Sequence, residues 1–126
     1  MPLRVELKPF ERIVIGESVI VNSGNRTSFL IDGEVPILRD KDTVTAETAN
    51  TPARRLYHCV QVMYLKNDVA RYRTAYLASV DELRRAVPGN DDVIEAINRH
   101  VSDGALYKAL KEIRKLIRHE EELVAV

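Results

Sequence analysis

The sequence has no surplus of either charge: 19 lysines and arginines stand against 19 aspartates and glutamates in 126 residues. A protein that coats nucleic acid non-specifically is basic as a whole, so any nucleic-acid contact here must come from a local patch. There is a single cysteine, Cys59, which excludes an intramolecular disulfide and suits a reducing cytoplasm. The first residues, Met1-Pro2-Leu3-Arg4, carry no apolar stretch of the secretory kind. No apolar run approaches the roughly 20 residues needed to span a bilayer. The expectation is a cytoplasmic protein with no membrane partner. Internal repeats, low-complexity tracts, zinc-ligand spacings, a phosphate loop and a nucleophile elbow are all missing, so no cofactor, no metal and no enzymatic activity are expected. Asn25-Arg26-Thr27 matches a glycosylation sequon, a chance match in a cytoplasmic chain.

What is present divides at about residue 42. Residues 3–8 alternate, with Leu3, Val5 and Leu7 on one face and Arg4, Glu6 and Lys8 on the other. Period-two alternation with outward charge is a half-buried strand, and Pro9 stops it. Residues 12–15 and 18–22 are two β-branched runs hinged at Gly16. Asn22-Ser23-Gly24-Asn25 is turn chemistry. Residues 26–31 form a fourth run, with Thr27, Phe29 and Ile31 on one side. Asp32-Gly33 is a two-residue hairpin signal. A fifth run covers 35–39, where Pro36 restricts it to an edge or a strand start.

Residues 43–126 read as helices. A helical turn is expected within 43–49. Thr51-Pro52 is an N-cap followed by proline at the first helical position. The helix to about residue 66 is apolar nearly all round, the mark of one buried between other elements. Further helices are expected over about 74–86, 90–101 and 105–124, the last with the best periodicity. The expected class is α+β: a small antiparallel five-stranded sheet over 1–42, then a bundle of about four helices over 43–126. A chain of this length forms one domain, or one with two sub-parts, and buries roughly two-thirds of its unfolded surface.

Candidates for chemistry are few. His58 and Cys59 adjoin, but neighbours on a helix point about 100° apart, and both read as packed residues. Glu120-Glu121-Glu122 reads as a solvated helix end. Lys108, Lys111, Lys115 and Arg118 share a face of the last helix, where pairs such as Lys108–Glu112 fit an ordinary solvated surface. The cations of the sheet region are Arg4, Lys8, Arg12, Arg26 and Arg39. Side-by-side packing of the first and fifth strands would join Arg4, Lys8 and Arg39 into one cationic edge. Charges on edge strands also serve simply to block aggregation.

Residues 10–21, Phe10-Glu11-Arg12-Ile13-Val14-Ile15-Gly16-Glu17-Ser18-Val19-Ile20-Val21, resemble the strand pair of the carbon-storage regulator (CsrA) family. Those are small five-stranded RNA-binding proteins that work as strand-exchanged dimers. That resemblance covers about residues 3–42 and implies RNA contacts at Lys8 and Arg39. The chain as a whole is similar to the FlbT flagellin regulators of alphaproteobacteria, on Met1-Pro2-Leu3-Arg4-Val5-Glu6-Leu7-Lys8-Pro9, Phe29-Leu30-Ile31, Val35-Pro36-Ile37-Leu38-Arg39, Thr51-Pro52-Ala53-Arg54-Arg55 and Tyr107-Lys108-Ala109-Leu110-Lys111. This likeness implies a post-transcriptional regulator that binds the 5′ leader of flagellin mRNA, usually repressing translation and promoting decay. It also implies a second small flagellar protein, FlaF, as partner. One departure stands out: Phe10 takes the place of the usual glycine of a Pro-Gly-Glu turn.

Two functions follow as expectations. One is an RNA-binding regulator, using Arg4, Lys8, Arg12, Arg26 and Arg39, that self-associates as a dimer or larger. The other is a protein-interaction adaptor whose helical body binds FlaF or flagellin and affects mRNA indirectly.

Overall fold

The structure, a computed structural model, describes residues 2–124. It is α+β, as expected: five short antiparallel strands followed by four helices. The chain divides into two units, Met1–Thr43 and Val44–Val126.

The first unit holds β1 (Leu3–Leu7), β2 (Arg12–Ile15), β3 (Ser18–Val21), β4 (Thr27–Ile31) and β5 (Ile37–Arg39). They form two sheets rather than the one expected: β1 with β4, and β2 between β3 and β5. Asp32-Gly33 accordingly closes no hairpin. β4 pairs back to β1, while residues 32–36 carry the chain across to β2's free edge. Burial explains the division. Val5↔Phe29 and Leu3↔Ile31 set the apolar side of the two-stranded sheet, and Ile15↔Ile37 sets one side of the other. Val5, Leu7 and Ile13 are buried, with Ile15, Phe29, Ile31 and Ile37 packed on them. Two small sheets can cover each other in this way, whereas a lone sheet has nothing to bury its apolar face against. Each such aliphatic side chain contributes about 1.5–3 kcal/mol on burial.

The turns fix the registers. β2 and β3 are joined by Gly16-Glu17, with Gly16 at φ 58. A positive φ at only the first of two central positions is the type II′ pattern, whose twist suits a hairpin. Asn22 ties the remaining loose ends. Its Nδ2 donates to the carbonyls of Leu7 (3.0 Å), Lys8 (3.1 Å) and Asn25 (2.8 Å), and its Oδ1 accepts from Gly24 N–H at 3.2 Å. Its backbone N–H donates to Glu11 O at 3.0 Å. One side chain thus joins the end of β1 to the turn that leads into β4.

The second unit holds α1 (Pro52–Lys66), α2 (Arg73–Ala86), α3 (Asp91–Ser102) and α4 (Leu106–Val124). Residues 43–49 do contain a single turn, with Ala49 N–H donating to Thr45 O at 2.9 Å. Gln61 holds the segment before it to α1, exchanging hydrogen bonds of 2.8 and 3.0 Å with the backbone of Val44. α1 opens as expected: Thr51 Oγ1 accepts from Arg54 N–H at 3.1 Å and Pro52 follows. It closes at Asn67, in the left-handed region at φ 53. α1 packs against α2 and α4, and α3 against α4. Leu56, Val60, Met63, Ile97, Leu110 and Ile113 are fully buried.

The acidic run near the end of α4 departs from its expected solvated state. Glu120 accepts from Thr51 Oγ1 at 2.6 Å and from Ala53 N–H at 3.0 Å. Glu121 pairs with Arg54 at 3.0 Å. The unsatisfied N–H groups at a helix start attract a carboxylate. Glu120 supplies it from a residue remote in sequence, which local pattern cannot reveal.

Asn22→Ala removes three donor contacts and an acceptor, including the partly buried bond to the Leu7 carbonyl. Urea denaturation should show a loss of about 2–3 kcal/mol. A loss within the scatter of ordinary surface substitutions would show that water replaces the amide.

Candidate nucleic-acid interface

The register places the five cations of the β unit. Opposed residues on antiparallel strands share a face. Arg4, Glu6, Ser28 and Leu30 therefore occupy the outward side of the β1–β4 sheet, through Arg4↔Leu30 and Glu6↔Ser28. Arg4 Nε donates to Ser28 Oγ at 3.2 Å. Arg26, just before β4, reaches the same side and meets Glu6 at 3.2 Å. Lys8, one residue past β1, is exposed. In the other sheet the two arginines separate. Arg39 pairs with Ile13, whereas Arg12 pairs with Val21 and lies one step along β2, on the opposite face. Arg12 stands 3.9 Å from Asp40.

The expected edge of Arg4, Lys8 and Arg39 does not form by strand pairing, because β1 and β5 belong to different sheets. The structure brings Arg4, Arg26 and Glu6 onto one face with Lys8 at its end. It sets Arg12 and Arg39 on other surfaces. Among the described residues, Arg4, Lys8 and Arg39 make no ion pair.

Beside Lys8 is the turn from β1 to β2. Glu11 N–H donates to Lys8 O at 3.0 Å, closing a four-residue turn with Pro9 and Phe10 at its centre. Phe10 has φ 64. Proline followed by a positive φ is the type II pattern, which calls for glycine at the second position. A phenylalanine there is strained, by about 1–3 kcal/mol. Its N–H is nevertheless held by Asn22 O at 2.6 Å, while the residue as a whole is 74% exposed. The ring gains little from burial, so the fold itself does not account for it.

Similarity to known proteins decides the family. The family model described as "Flagellar protein FlbT" matches residues 3–124. A "Probable flagellum biosynthesis repressor protein FlbT" of Rhodopseudomonas palustris (strain TIE-1) is 62% identical over 125 residues, covering 99% of each chain. One named "Probable flagellum biosynthesis repressor protein FlbT 1", from Bradyrhizobium diazoefficiens, is 52% identical over 98% of this chain and 85% of its own. The "Flagellum biosynthesis repressor protein FlbT" of Caulobacter vibrioides (strain ATCC 19089) is 34% identical over 97% and 89%. The chain belongs to the FlbT family. No solved structure matches it.

The remaining sites of this FlbT protein fit packing better than catalysis. Cys59 donates to Tyr72 O at 3.9 Å, and burial pushes its thiol pKa up, which disfavours the reactive thiolate. Among the described residues no cluster of His, Cys, Asp or Glu is placed to hold a metal ion. No helix among them is long and apolar enough to cross a membrane. On α4 the expected Lys108–Glu112 pair is replaced by Lys115–Glu112 at 3.1 Å. Lys111 and Arg114 instead lie over the Tyr107 ring, at 5.3 and 5.8 Å, and Arg114 also bonds Tyr57 Oη at 3.1 Å. That cluster joins residues distant in sequence and left no periodic signal. The left-handed geometry of Phe10 had one: Pro9 and Glu11 on either side of it.

Phe10→Gly should stabilise the protein. Relief of the positive-φ strain outweighs the extra backbone entropy of a glycine, for a net gain of about 1 kcal/mol in urea unfolding. A loss of stability would mean that the ring is packed in solution.

Proposed function

We propose that this FlbT protein is a regulator of flagellin expression that binds the 5′ leader of flagellin mRNA, and that it acts without catalysis by masking the message or exposing it to nucleases. The observation that carries this reading is the outward β1–β4 face. Arg4, Arg26 and the neighbouring Lys8 are cationic and exposed there, next to a phenylalanine held out to solvent. Sequence-specific RNA recognition targets unpaired bases that stack on aromatic side chains. Each stacked base contributes about 1–3 kcal/mol. Phe10 is exposed enough to receive one, whereas Phe29 lies on the inward side of the sheet, packed on the core. Arg12 and Arg39 then serve RNA only where the strand wraps beyond that face. The names of the relatives, repressors of flagellum biosynthesis, support the biological setting.

Purified protein should shift a flagellin leader in a gel at low salt. With three phosphate contacts, log affinity should fall with log salt at a slope of about −2. Arg4→Ala with Lys8→Ala should lower affinity and flatten that slope, whereas Arg39→Ala alone should do much less. Phe10→Gly should weaken binding without changing the slope, in the opposite direction to its effect on stability. Absence of any shift, together with a stable complex with FlaF, would replace this reading with that of an adaptor.

Self-association is part of the proposal. β3 is an edge strand whose Val19, Ile20 and Val21 are each at least 42% exposed. Such an edge recruits a further strand, and a second copy of the chain presents the same one. Sedimentation should show a dimer or larger, and Ile20→Lys should shift it to monomer. A wild-type monomer at high concentration would remove this part.

A further inference from the structure

The helical unit contains a cleft of about 330 Å³ that the RNA reading does not use. α2 and α3 flank it, and Met63 of α1 lies among its lining residues. Ligand pockets begin at about 300 Å³ and combine apolar walls with a few convergent polar groups. This cleft has that make-up. Met63, Val69, Leu77 and Val101 are its apolar lining, and Arg73 is the one charged residue among the described residues that line it. Asp103 lies in the adjoining turn but does not line it.

The polar groups are already oriented. Tyr76 and Asn98 both line the cleft, and the Tyr76 hydroxyl donates to Asn98 Oδ1. Burial pushes that hydroxyl up to about 12, so it stays protonated and keeps donating at physiological pH. An amide whose oxygen is engaged in this way turns its N–H₂ elsewhere, and Asn98 Nδ2 makes no hydrogen bond within the described residues. Arg73 is exposed and makes no ion pair among them. The cleft therefore offers two donor groups, one cationic, at an apolar cavity whose lining holds no acid.

We infer that this cleft is a binding site for a small carboxylate with an apolar tail, of the size of a medium-chain fatty acid. The carboxylate meets Arg73 and the Asn98 amide, and the tail lies along Met63, Leu77 and Val101. A guanidinium holds a carboxylate by two parallel hydrogen bonds, and a cavity near the lower limit for ligand pockets admits only a short tail. This site stands on the helical unit alone and does not depend on RNA binding.

The probe is sodium octanoate, titrated into the full chain and followed by amide NMR shifts and calorimetry, with 1-octanol as the uncharged comparison. Saturable shifts centred on Met63, Tyr76, Asn98 and Val101 are expected. Arg73→Gln should weaken octanoate by about tenfold or more, the loss of one charge-assisted contact, and leave 1-octanol unchanged. Ser102→Trp, at the exposed lip, should block both ligands with the helical circular dichroism intact. No saturable binding, shifts centred elsewhere, or equal affinity for octanoate and 1-octanol with Arg73→Gln silent would each overturn the assignment. Because Arg73 is a surface residue, its substitution keeps the test decisive even where the tryptophan variant fails to fold.

Discussion

The carboxamide of Asn22 links parts of the β unit that its strand ladders leave apart. The ladders pair β1 with β4 and β2 with β3 and β5, and among the described residues no ladder joins the two sets. Asn22 follows the last residue of β3 and bonds the carbonyls that end β1, as well as the turn that leads to β4. Its backbone carbonyl also holds Phe10, and its backbone N–H reaches Glu11. The core between the sheets is small, with Val5, Leu7 and Ile13 as its buried members. Burial of those three side chains supplies roughly 5–9 kcal/mol, a modest core to which a polar link at the junction adds.

Phe10 sits on that junction and carries a stability cost. Its backbone is held where glycine belongs, and its ring faces solvent. Strain of this kind persists where the surroundings over-determine the conformation. Here Pro9, the closed turn to Glu11 and the bond to Asn22 do so together. Arg4 lies on β1 and Lys8 one residue past its end, so one aromatic ring and two cations that make no ion pair among the described residues fall within a short stretch of chain.

Much of this was legible from local pattern. The five strands and four helices fall close to where alternation, proline, glycine and capping residues set them, because those signals act over a few residues. What was not legible is pairing. Asp32-Gly33 has the chemistry of a hairpin, yet β5 joins β2, since covering the apolar sides of two sheets outweighs one favourable turn. For the same reason the grouping of the cations was hidden: Arg12 and Arg39 lie on opposite faces of one sheet because of a register that no single strand encodes. The contacts of Glu120 with Thr51 and of Arg114 with Tyr57 are equally long-range, and each was hidden behind an ordinary charged helix surface.

The Glu120 contact has a consequence for how the chain is made. The first helix of the second unit is completed at its start by a carboxylate from the last helix, 69 positions later. During synthesis the β unit and α1 emerge long before that carboxylate exists. The β unit is free to form early, whereas α1 gains this cap only once residue 120 has left the ribosome. A chain built in this order completes its strand half first and the start of its helical half last.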